Sequence, residues 1–95
     1  MITQEGERLL LRGPVTIGTV SALLAQVRAL LAQGVAVLDF EGVTEVDSAA
    51  VALALECLRE ARRRSLNLTL ANLPEAMQHL AELYAVSELL RAEPA

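Results

Sequence analysis

Hydrophobic and polar positions change period several times along the 95 residues, and each change marks a new element. Arg8-Leu9-Leu10-Leu11-Arg12 is a short apolar run with charged flanks, closed by Gly13-Pro14; it predicts a strand of about five residues. A further short strand around Ile2–Gln4 would pair with it. The period then lengthens. Val20, Leu23, Leu24, Val27, Leu30 and Leu31 fall on one helical stripe, with Thr16 or Thr19 able to supply an N-cap oxygen and Gly34 placed to end the helix. Val35-Ala36-Val37-Leu38-Asp39-Phe40 is β-rich and apolar on both faces, the pattern of a central strand covered by helices, and Glu41-Gly42 breaks it.

A loop carrying Val43 and Val46 leads into a second helical pattern from about Ala49 to Arg64. Its stripe runs near Leu55, Leu58 and Ala61/Arg62, with Ala50, Val51 and Ala54 beside it, and Arg62-Arg63-Arg64 complement the helix dipole at the last turn. Leu66, Leu68 and Leu70 alternate with Asn67 and Thr69, as in a strand with one buried face. Asn72-Leu73-Pro74-Glu75 opens a third helix, whose stripe of Met77, Leu80, Leu83 and Tyr84 places Leu83 in the core beside Leu38. Ser87-Glu88-Leu89-Leu90 starts a last short turn before a polar tail ending Glu93-Pro94-Ala95. Strands alternating with helices, without repeat or linker, predict one α/β domain over 1–95 with helices packed on a mixed sheet.

Composition narrows what such a domain can do. Leu (19) and Ala (16) supply over a third of the chain, and 54% of it is hydrophobic, which excludes intrinsic disorder. The aromatics are Phe40 and Tyr84, too few for a single-strand nucleic-acid platform, and a net charge of −4 provides no basic field for phosphate backbones. No nucleic-acid partner is expected. The apolar segments are interrupted by Arg28, Glu56 and Arg59, so no membrane insertion is expected, and the start lacks the pattern of a signal peptide. The expected location is the cytoplasm.

Candidate chemistry is sparse. A serine nucleophile needs a base within reach, and the single histidine, His79, lies on the third helix with no nucleophile-elbow motif near any serine. Cys57 reads as a small hydrophobe, since one cysteine and one histidine make neither an internal disulfide nor a zinc site. Asp39 belongs to a strand and Asp47 to a helix start, so they do not form a catalytic pair. Arg62–Arg64 could meet acidic partners, but Glu56 and Glu60 stand one turn away to pair with the arginines. No catalytic residue, metal ligand or cofactor is expected.

The informative segment is Val46-Asp47-Ser48-Ala49-Ala50-Val51, which follows the central strand and leads into the second helix. Loops at the carboxyl ends of strands carry function while the rest is scaffold. Either Asp47 or Ser48 can cap the helix, a role worth ~1 kcal/mol that does not prevent the same residue from touching a partner.

Val37-Leu38-Asp39-Phe40, Val43 and the run from Val46 to Leu53 resemble the core of a STAS domain, the fold of anti-sigma factor antagonists. Leu68-Thr69-Leu70-Ala71-Asn72-Leu73-Pro74, Leu80-Ala81-Glu82-Leu83-Tyr84-Ala85-Val86 and Glu88-Leu89-Leu90 resemble the MlaB-type members in particular. The resemblance implies a STAS fold, a mixed four-stranded sheet packed with three to four α-helices. It also implies a non-catalytic subunit that binds the ATPase subunit of a phospholipid-moving ABC transporter and, through it, the permease. Such a subunit would sit at the inner membrane without entering it and support outer-membrane lipid asymmetry.

In that family the loop serine or threonine lies at the ATPase contact, and Ser48 occupies the matching position. Asp47 would orient the loop, and Ala49, Ala50 and Val51 would supply an apolar surround. The alternative is an antagonist switched by phosphorylation of Ser48 through a serine-kinase anti-sigma factor. Antagonists of that kind carry Asp-Ser-x-Gly, whereas Ala50 stands at the glycine position here, which favours an unphosphorylated contact. A third reading, a lipid-binding module, finds no sign of a spare cavity among small and branched core residues. The Leu-rich surface leaves room for a weak homodimer.

Overall fold

The computed structural model describes residues 2–91, so Met1 and the expected polar tail at Glu93–Ala95 lie outside the described residues. Strand β1 (Ile2–Glu5) turns back onto β2 (Arg8–Val15), the two pairing antiparallel from Ile2 opposite Leu11 to Glu5 opposite Arg8. β3 (Val37–Val46) and β4 (Thr69–Ala71) then add in parallel, giving the order β1-β2-β3-β4. Parallel neighbours need a crossover. Helix α1 (Val20–Leu30), extended by one 3₁₀ turn at Leu31–Gln33, supplies it between β2 and β3. α2 (Ser48–Arg63) supplies it between β3 and β4, and α3 (Glu75–Leu83) and α4 (Ser87–Arg91) follow.

The core lies on one face of this sheet. Leu9, Leu11 and Val15 of β2 and Leu38 and Phe40 of β3 are fully buried against Leu23, Val27 and Leu31 of the first crossover and Leu53, Ala54 and Cys57 of α2. Leu10 and Val37, which point the other way, are half-buried and stay outside that core. Helical cover on both faces of β3, expected from its unbroken apolar run, is therefore not what forms. The open face instead carries Asp39, buried to 4% exposure by its own polar partners. Asp39 Oδ2 accepts from Arg8 Nη1 at 2.6 Å, and Oδ1 accepts from Asn72 Nδ2 at 3.0 Å and from the Glu41 amide at 2.9 Å. One carboxylate thus ties β2, β3 and the start of the β4–α3 loop together.

Both strands of the central pair outlast the breaks seen in the sequence. β2 continues through Gly13-Pro14 to Val15, and β3 continues through Glu41-Gly42 to Val46. The pairing advances from Leu10 opposite Asp39 to Arg12 opposite Gly42, and from Gly13 opposite Val43 to Pro14 opposite Glu45. Each step inserts an extra residue in β3, so the strand bends without losing its partner. Gly42 makes the first bulge possible, because a Cβ there would lie 2.8 Å from the Leu11 carbonyl oxygen.

The helices shift the expected stripes. α2 buries its small residues, Ala50, Ala54, Cys57 and Ala61 with Leu53, while Leu55 and Leu58 are only half-buried. α3 buries Met77 and Ala81, whereas Leu83 is 76% and Tyr84 48% exposed, correcting their placement in the core. The reason lies in the helix end. Ala85 adopts a left-handed conformation (φ 59°), the Val86 amide returns to the Ala81 carbonyl, and Val86 rather than Leu83 packs inward. The same closure ends α2, with Ser65 left-handed and the Leu66 amide on Ala61. Neither site carries the glycine that would have signalled it.

Leu38→Asp is expected to abolish the cooperative thermal transition by burying an unpaired charge, while Leu83→Asp should melt within a few degrees of the parent; unfolding of the Leu83 variant would refute its exposed placement. Burial raises the pKa of Asp39, but the bonds from Asn72, the Glu41 amide and Arg8, with the Arg8 charge, outweigh it and leave the carboxyl below its ordinary 3.8. The network's stabilisation is therefore complete above pH 3.8 and fades as the pH falls through the lower folded value. Stability measured from about pH 5 to pH 2 should fall more steeply for the parent than for Asp39→Asn; parallel curves would contradict the assignment.

Candidate interaction surface

Because β2 and β3 run in the same direction, the chain leaves both at the same edge of the sheet. The turn between β2 and α1 and the junction of β3 with α2 are neighbours there, and Asp47 joins them. Its backbone is extended (φ −135°, ψ −166°), which turns its side chain back over the start of α2. Oδ1 accepts from the Ala49 amide at 2.8 Å, and Oδ2 accepts from the Ile17 amide at 3.0 Å. One carboxylate satisfies a free N–H of the helix and another of the facing turn.

Ser48 is thereby released from capping. It is the first residue of α2, it is exposed, and its hydroxyl has no hydrogen-bond partner among the described residues. The side chains of Ala49, Ala50 and Val51 are buried, at 8%, 0% and 3% exposure, and form the floor under Ser48 rather than a surface around it. One helical turn on, Ala52 is exposed on the same face as Ser48. Close approach to the backbone at this end of α2 is thus unobstructed by any long side chain of the first turn.

The facing turn is built with equal care. Thr19 sits at the N-cap position of α1 but makes no capping bond. Its hydroxyl instead accepts from the Thr16 amide at 3.0 Å and donates to the Pro14 carbonyl at 3.0 Å, closing the turn on itself. At its tip stands Ile17, 79% exposed. Sequence reasoning missed this residue for a physical reason. Ile17 lies three positions before Val20, so it extrapolates onto the buried stripe of α1, yet the helix starts only at Val20.

Among the described residues the chemistry-bearing side chains singled out in the sequence stand apart. His79 is exposed on α3, and Asp39 is held on the open face of the sheet by three donors. Cys57 is fully buried, and burial, opposed by the charge of Arg28 and assisted by Glu56 and Glu60, pushes its thiol up to about 12, so it stays protonated and unreactive. Among the described residues no three His, Cys, Asp or Glu side chains could hold a metal ion. No helix among them is long and apolar enough to cross a membrane. Arg59 and Arg63 of α2, its C-cap Arg64 and Arg28 of α1 engage a charge network: Glu56 pairs with Arg28 and Arg59, and Glu60 with Arg63 and Arg64.

Asp47→Ala should cost about 1 kcal/mol or somewhat more in denaturant titration, since it removes a cap and a turn bond. Ser48→Ala should stay within roughly 0.5 kcal/mol of the parent, as for surface substitutions. A reversed order of the two costs would return the cap to Ser48.

Comparison with known proteins bears on the whole chain. A family model described as Mlab, STAS domain, matches residues 1–91. Among solved structures, the Bacillus cell fate determinant SpoIIAA in its phosphorylated form is 20% identical with a TM-score of 0.66, covering 100% of this chain and 90% of that one. The anti-sigma factor antagonist SpoIIAA in its unphosphorylated form is 22% identical with a TM-score of 0.64, over 87% and 81% of the two chains. A sulfate transporter family protein from Wolinella succinogenes is 18% identical with a TM-score of 0.67, over 95% and 75%. At these identities the structures establish a shared fold. A search of curated protein sequences gives no match.

Proposed function

The chain belongs to the STAS domain family of the matching model, and from that premise we propose that it is a non-catalytic subunit binding the ATPase subunit of a phospholipid-transporting ABC complex. In this role it supports assembly or activity of the ATPase and reaches the inner membrane only through the complex. The observation that carries the reading is the division of labour between Asp47 and Ser48. Asp47 caps α2 and tethers the neighbouring turn, which leaves Ser48 exposed with an uncommitted hydroxyl above a floor of small buried side chains. A hydroxyl in that position can meet a partner's donor or acceptor without disturbing the helix beneath it. The description of the family model, which spans nearly the whole chain, supports the transporter branch.

The antagonist reading shares this loop and differs in the partner. It is supported by the fold neighbour SpoIIAA, which is described in both unphosphorylated and phosphorylated forms. Ala50, where such antagonists carry glycine, is fully buried beneath the loop.

Binding of the purified chain to the ATPase subunit of a phospholipid ABC transporter from the same cell, followed by calorimetry, separates the two. Ser48→Arg should abolish measurable binding while its circular dichroism melting curve stays that of the parent. Loss of binding that merely tracks unfolding would remove Ser48 from the interface. Recovery of the chain with a serine-kinase anti-sigma factor, and with phosphate on Ser48, would assign it to the signalling branch.

A further inference from the structure

We propose that Ile17 is the apolar anchor of the partner-binding surface and that the Asp47 carboxylate is the group that positions it; the inference rests on the ATPase-binding reading above. An isolated exposed aliphatic side chain is ordinary on a protein surface. Ile17 differs in how it is held. It is 79% exposed, more than Leu83, Leu89 or Tyr84, yet it stands on a turn whose backbone is tied at Thr16, Ile17, Thr19 and Val20. The amides of Thr19 and Val20 both reach the Thr16 carbonyl at 2.9 Å, the Thr19 hydroxyl bridges Thr16 and Pro14, and the Ile17 amide is bound by Asp47. A side chain displayed on a preorganised turn loses little further freedom on binding, which is what an interface anchor requires.

The tether also sets where the anchor stands. Asp47 immediately precedes Ser48, so a single carboxylate fixes the spacing between an apolar tip and a free hydroxyl. Ser48, Ala52 and Ile17 then form one exposed surface built from the start of α2 and the turn before α1, with no long side chain from the first turn of α2 among them.

Charge says what it fits. Segments 14–20 and 43–52 contain Glu45 and Asp47 and neither lysine nor arginine. The complementary surface is a pocket for one branched aliphatic side chain bordered by basic groups, on a folded protein subunit. An anionic lipid surface would be repelled by the same carboxylates.

The test is a double-mutant cycle on binding to the ATPase subunit, with melting curves run on every variant. Ile17→Ala should weaken binding roughly tenfold and Ile17→Asp should eliminate it, both without loss of thermal stability. Asp47→Asn keeps an oxygen able to cap Ala49 but places an amide group against one of the two N–H donors, so it loosens the turn while preserving the helix start. It should weaken binding several-fold in the parent and add little in the Ile17→Ala background. Parent-like binding by Ile17→Asp would overturn the anchor while leaving the ATPase-binding reading intact. Additive effects of Asp47→Asn and Ile17→Ala would overturn the positioning role. Failure of the parent itself to bind the ATPase subunit would overturn both the reading and the inference. Ile17-dependent binding to phosphatidylglycerol vesicles would replace the protein pocket with a membrane and overturn the proposed occupant.

Discussion

Two strands that pair in parallel point their carboxyl ends at the same edge of the sheet, and this constraint on β2 and β3 governs everything the molecule can present there. The pairing survives two bulges, the first of them because Gly42 lets the β3 backbone come within reach of the Leu11 carbonyl. Without that approach the strands would part near Arg12, and the loops after Val15 and Val46 would have no common edge. The bulged length of β3, ten residues against eight in β2, carries Asp47 to the level of the Thr16–Thr19 turn.

The two ends of β3 are each organised by a carboxylate, with opposite consequences. Asp39 is buried and accepts from a side-chain cation, a side-chain amide and a backbone amide, so all its capacity goes into holding β2, β3 and Asn72 together. Its depressed pKa records that strong satisfaction. Asp47 is only half-buried and binds two backbone amides, one in the first turn of α2 and one in the turn before α1. The first carboxylate closes the open face of the sheet, and the second leaves the neighbouring residues Ile17 and Ser48 free to face outward. Both carboxylates provide rigidity by hydrogen bonds that water would otherwise satisfy.

The chain belongs to the STAS family and shares its fold with SpoIIAA and a sulfate transporter family protein, and a shared fold leaves function to the site each chain carries. The small-residue stripe of α2 is part of the same design. Ala50, Ala54, Cys57 and Ala61 let the helix pack with its buried face filled by little volume, while its larger Leu55 and Leu58 stay half-buried at the side.

Much of this was legible in the chain itself. The order of elements, the hairpin of β1 with β2, the span of α2 and a helix cap at Asp47-Ser48 follow from periodicity, capping chemistry and family resemblance, all of which are local in sequence. The errors have a common origin. Gly13-Pro14 and Glu41-Gly42 read as stops because a bulge is stabilised by the partner strand, which no single segment reveals. Leu83 read as buried because a helical stripe extrapolates past an end decided by Ala85, and Ile17 went unread because its display depends on the Thr16–Thr19 turn. Asp39 read as part of a strand with two apolar faces, since Arg8 and Asn72 lie 31 and 33 residues away and meet it only in the folded sheet. Local chemistry thus determined which elements form and where the second helix is capped. Tertiary contact decided where those elements end, which side chains face outward, and that one carboxylate would bind both a helix start and the facing turn, because each of these depends on groups outside the segment itself.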